Sequence, residues 1–110
     1  GERGAEGIAR FPFPQLGGQP HGGEDFLEWG RKFHTVFLEN VPKMGYDRSN
    51  EAKRFMVMVD TFYEMGIRLV IGAETAPHKL YHGDKLAYEF ERTVSRLLEM
   101  QSAEYLTKMA

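Results

Sequence analysis

The stretch from Thr35 to Ile71 limits the possible folds more tightly than any other part of the chain. It opens on "HTVFLENVP", where Val36, Phe37 and Leu38 form a continuous apolar run closed by Asn40 and Pro42. Continuous rather than alternating apolarity predicts a strand covered on both faces, Thr35–Glu39. After the loop "KMGYDRSN", residues Ala52, Phe55, Met56, Val59, Phe62 and Tyr63 recur at helical spacing and make one apolar stripe. That periodicity predicts a helix over Glu51–Met65. Ser49 or Asn50 can cap its first amides, and Gly66 stands where a left-handed C-terminal cap is wanted. "IRLVIGAE", bounded by Gly66 and Gly72, then predicts a second buried strand, Arg68–Ile71. Strand, helix, strand is the βαβ unit, so the expected class is α/β: a small parallel sheet with a right-handed crossover.

The flanking segments are less informative. Residues 1–7 are Gly-rich and expected to be loose. In "GIARFPF", Ile8 and Arg10 alternate with Ala9 and Phe11, which suggests a short strand. Pro12 and Pro14 cannot donate to a ladder, so such a strand is expected at an edge. "PQLGGQPHGG" is turn chemistry, and "EDFLEWGRKF" reads as a short helix with Phe26, Leu27 and Trp29 on its apolar side. "TAPHKLYHGD" is a turn with one helical turn after Pro77. Leu86, Phe90, Val94, Leu97 and Leu98 define a helix over Lys85–Met100, and Ser102 is placed to cap a last one, Ser102–Leu106.

A chain of 110 residues fits one domain, 1–110, that buries roughly two-thirds of its unfolded surface. A net charge of −2 gives no electrostatic reason to expect nucleic acid or a membrane as partner. Without cysteine, neither a disulfide framework nor a thiolate metal site or nucleophile can form. No apolar run reaches the roughly 20 residues that span a bilayer, and "GERGAEGIAR" lacks the apolar core of a signal peptide. The chain begins without methionine, which suggests a piece of a longer protein.

Catalytic signatures are missing. Neither a G-x-x-x-x-G-K-[ST] phosphate loop, a G-x-G-x-x-G turn nor a G-x-S-x-G elbow occurs, so no catalytic residue is assigned. His78 and His82 have zinc-ligand spacing, but Lys79, Leu80 and Tyr81 between them exclude H-E-x-x-H, and two loop histidines are expected instead of a metal site. Glu39 and Asn40 follow the first strand, where acidic residues of α/β nucleotide enzymes often hold magnesium, but without a phosphate loop they are read as turn or capping residues. Arg92 and Arg96 lie opposite the apolar side of the last helix. Glu89 and Glu99 stand three residues from them, so Glu89–Arg92 and Arg96–Glu99 surface pairs are expected. Arginine is also the side chain that reaches across an interface to a transferring phosphate, and periodicity does not choose between the two roles.

"FHTVFLENVP", "EAKRFMVMVDTFYEMGIRLVIGAE", "LY" and "EFERTVSRLLEMQSAEYL", in that order, closely resemble the C-terminal part of the ZapE family. "FPFPQL…EDFLEW" is similar to a weakened form of that family's entry segment. Gly17, Lys53 and Gly72 depart from the family's usual residues. These AAA+ ATPases include the mitochondrial lactation-elevated ATPase among their relatives. The resemblance implies a C-terminal domain, not catalytic alone, of a cell-division-associated ATPase whose ATP and Mg site lies upstream. It further implies that Arg92, Arg96 and Arg54 are nucleotide-sensing or inter-subunit candidates. The partners it implies are the upstream ATPase domain, homo-oligomer neighbours, and the bacterial tubulin-like division protein or an unfolded membrane-protein client. For client binding the candidate surface is "KMGYDRSN", with Met44 and Tyr46, joined by Val57 and Met58 if exposed. The implied location is the bacterial cytoplasm at the division site, or the mitochondrial matrix.

Overall fold

A computed structural model describes residues 2–3, 7–13 and 23–102. Its elements, in chain order, are β1 (Glu2–Arg3), β2 (Ile8–Pro12), α1 (Gly23–Lys32), β3 (Thr35–Val41), α2 (Ser49–Met65), β4 (Arg68–Ala73) and α3 (Ala87–Glu99). Short 3-10 turns lie at Tyr46–Arg48 and Pro77–Lys79. The expected helix after Ser102 falls outside the described residues.

The sheet runs β1-β2-β3-β4, with β2, β3 and β4 mutually parallel and β1 antiparallel at the margin. Thr35 lies opposite Arg68 and Leu38 opposite Ile71, so the parallel βαβ unit is present. A second unit, β2-α1-β3, precedes it, with Ile8 opposite Thr35 and Phe11 opposite Leu38. The expectation that the Ile8 strand forms an edge is corrected by Glu2 and Arg3, which pair with Arg10 and Ala9. Pro12 is tolerated because the described part of β1 pairs with Ala9 and Arg10 only, so no described ladder on that side needs the missing N–H.

β3 extends two residues beyond the expected Glu39, by way of a bulge. Asn40 adopts φ 61°, and Val41 rather than Asn40 meets Ala73 of β4. The extra residue resets the alternation, so the apolar Val41 is buried and the polar Asn40 is exposed. At the C-terminus of α2, Gly66 has φ 72°, and the amides of Gly66 and Ile67 return to the carbonyls of Tyr63 and Phe62, as the sequence predicts. The expected Ser49 or Asn50 side-chain cap does not form. The 3-10 turn, closed by Arg48 N–H to the Gly45 carbonyl, runs directly into the helix and puts Ser49 inside its first turn.

All three helices cover one face of the sheet. Ala9, Phe11, Val36 and Leu38 point into that layer and are buried. Phe11 stacks on Trp29 of α1 at 4.3 Å, Phe13 meets Phe55 of α2, and Phe26 packs edge-on to Phe62. Phe55 in turn stacks on Phe90 of α3 at 6.1 Å. Met58, outside the anticipated stripe of α2, is fully buried, and so is Met44. Leu27, expected on the apolar side of α1, is exposed instead.

Candidate interfaces: an arginine seam and an uncovered sheet face

Arg92 and Arg96 stand one turn apart on α3 and converge on a single carboxylate. Arg96 Nη1 donates to Asp60 Oδ1 at 2.6 Å, and Arg92 Nη2 to Asp60 Oδ2 at 3.1 Å. The sequence-expected pairs with Glu89 and Glu99 are replaced by this link between helices, because Asp60 of α2 faces the same seam. Tyr63, one turn further along α2, completes the arrangement. The Arg96 guanidinium lies over its ring at 4.9 Å, and its hydroxyl donates to Glu99 Oε2 at 2.8 Å. That hydrogen bond to a carboxylate, with a smaller contribution from burial, holds the Tyr63 phenol above its ordinary value near 10.0.

The seam is closely paired: two guanidinium groups share the carboxylate of Asp60, and the Glu99 carboxylate accepts the Tyr63 hydroxyl. Its two arginines nevertheless differ. The Arg96 side chain is 24% exposed and committed to Asp60 and Tyr63. The Arg92 side chain is 62% exposed, with one donor on Asp60 and the rest of its fork facing outward. Arg54, half-buried on α2, has no ion-pair partner among the described residues and does not join the cluster. Asp60 and Tyr63 escaped sequence reading as a polar pair. Their only signal is an i,i+3 spacing on a flank of α2 that the apolar stripe partly claims.

The other sheet face carries Ile8 and Arg10 of β2, Thr35, Phe37 and Glu39 of β3, and Arg68 and Val70 of β4. No described helix packs on it. Arg10 lays its guanidinium over the Phe37 ring at 4.6 Å and pairs with Glu39, which partly shields the ring. Val70 remains 41% exposed. The sequence expectation that β3 is covered on both faces is therefore met on one face only. Glu39 serves the Arg10 ion pair, and Asn40 the bulge.

Elsewhere, His78 and His82 are both exposed, and no group of three metal-ligating side chains occurs among the described residues. Of the proposed client surface, Tyr46 and Val57 are exposed, but the buried Met44 and Met58 cannot contribute. No described helix is long and apolar enough to cross a membrane.

Comparison with known proteins extends this picture. The chain is 48% identical over 84 residues to the cell division protein ZapE of Escherichia coli, covering 76% of this chain and 22% of that protein. It is 30% identical over 130 aligned positions to the lactation elevated protein 1 homolog B of Danio rerio, covering 89% of this chain and 26% of that protein. The chain thus spans about a quarter or less of the length of these relatives. No solved structure matches it. The profile of one family, described as AFG1-like ATPase, matches residues 2–109. On the strength of that match, which takes in both interfaces, the chain belongs to the AFG1-like ATPase family.

Proposed function

We propose that this chain is an assembly module of a cell-division-associated AAA+ ATPase, docking through its uncovered sheet face onto the part that binds ATP and Mg. The observation that carries this reading is the bare face itself. Parallel strands joined by helical crossovers occur almost always with both faces covered. Here Phe37 and Val70 meet solvent on one side of three parallel strands. The relatives' additional length could supply the missing cover, and in this reading nucleotide chemistry belongs to that part, in keeping with a sequence that carries no phosphate loop. The location proposed with it is the cytoplasm at the division site, in keeping with a bacterial relative named as a cell division protein.

Within this reading, Arg92 is the arginine able to reach a neighbouring subunit's nucleotide, because most of its fork is free. Arg96 works as a helix–helix tie. In the longer ATPase, Arg92→Ala is expected to lower ATP turnover while leaving the unfolding midpoint nearly unchanged, and Arg96→Ala to lower the midpoint. Turnover unaffected by Arg92→Ala would remove nucleotide sensing from the module. For docking, co-purification of this chain with a separately expressed upstream part is expected, and Val70→Asp is expected to abolish it. Co-purification that survives Val70→Asp and Phe37→Asp together would place the contact elsewhere and overturn the reading.

A further inference from the structure

β4 ends the sheet, and its outer edge has no strand partner among the described residues. Arg68 N–H donates to the His34 carbonyl at 2.9 Å and Glu74 N–H to the Val41 carbonyl at 2.9 Å, so the even-numbered residues turn their backbone groups toward β3. Strand alternation then aims the N–H and C=O groups of Leu69, Ile71 and Ala73 outward, along the free edge. We infer that a second copy of this chain pairs with that edge, antiparallel and about a two-fold axis at Ile71. The inference concerns the edge of the sheet and stands apart from the docking of its face.

Three features favour this occupant and this register. The first is parity: centring on Ile71 sets Ile71 opposite Ile71 and Leu69 opposite Ala73, so each outward-facing residue meets another and the ladder closes over the whole strand. The second is charge. The same register sets Arg68 opposite Glu74 at both ends, on the uncovered face. Arg68 has no ion-pair partner among the described residues, and Glu74 uses one carboxylate oxygen to accept the Lys43 N–H at 2.9 Å, leaving the other available. The third is shape. Val70 faces Gly72, a large residue against the smallest. On the helix side, Leu69 and Ile71 line a cleft of about 240 Å3 with Leu97 and Met100, which the second copy's Ile71 would close. An isologous contact of this kind is self-limiting, since each edge is used once. A register centred on Val70 keeps the parity but leaves both charges unmatched.

Sedimentation equilibrium of this chain across a range of concentrations tests the inference, together with Arg68→Glu, Glu74→Arg, the double exchange, and Ala73→Pro. Opposed like charges across strands each cost about 0.2–1 kcal/mol, and the two-fold axis repeats each change. Either single exchange is therefore expected to weaken self-association by about tenfold, and the double exchange to restore it. Ala73→Pro removes an outward N–H and is expected to abolish dimers without breaking the β3 ladder. Should that variant misfold, as judged by circular dichroism, the charge exchanges decide alone. A monomer at every concentration, association indifferent to the exchanges, or a double exchange no better than the singles would overturn it.

Discussion

The two faces of this sheet are built from neighbouring residues of the same strands yet hold opposite fates. Val36 and Leu38 disappear beneath aromatic side chains from the helices, while Phe37, between them, is shielded mainly by a surface arginine. The covered face explains why the chain holds together; the open face carries the docking proposal. A helix layer on one side follows from the chain's own connections, because both crossovers pass over the same face. In the docking proposed above, cover on the other side comes from a different segment.

The largest expected effect lies in the covered layer. Phe62→Ala, which empties a fully buried site on α2 against Phe26 of α1, should cost about 3–5 kcal/mol in urea unfolding. A matched pair sharpens the contrast. Val36→Thr buries a hydroxyl with no partner and should cost about 1–3 kcal/mol, whereas Val70→Thr on the open side should stay within about 0.5 kcal/mol. Equal costs for the two would break the comparison. The polar seam between α2 and α3 should contribute less. Arg96→Ala is expected to cost about 1 kcal/mol and Arg92→Ala less than half of that, following their exposures of 24% and 62%.

The smallest effect concerns pH. The Tyr63 phenol is held above its ordinary value, so its protonated form is favoured in the folded chain and that contribution is complete below pH 10.0. It is lost as pH rises through the folded value. Wild-type stability should therefore fall more steeply above pH 10.0 than that of Tyr63→Phe, and parallel curves would show that the hydrogen bond to Glu99 carries no weight.

Much of this fold was legible in the sequence, and the misses share a cause. α2 and its two strands emerged from local periodicity, because a buried stripe and a continuous apolar run are written in adjacent residues. The first βαβ unit was harder to see. The Gly- and Pro-rich link after β2 hides the fact that β2 and β3 pair side by side, and nothing local announces that Glu2 and Arg3 flank them. Burial of Met44 depends on the Tyr81 loop pairing with it from elsewhere in the chain. The arginines were visible as a pair, but their partner was not. Asp60 lies over thirty residues away, and only tertiary packing selects it over Glu89 and Glu99. The bare face could not have been anticipated, since "VFL" reads as doubly covered whether or not the second cover belongs to the same piece.

Because the sequence contains no cysteine, Val70→Cys places a single reporter thiol on the open face. Its labelling rate should be compared in this chain alone and in the longer ATPase of which it is proposed to be a module, with other thiols of the longer protein replaced. Fast labelling in the isolated chain and at least about tenfold protection in the longer protein is the predicted result, since burial there removes the thiol from reagent. Equal, rapid labelling in both would mean that the face stays open in the assembled protein, contradicting the central claim.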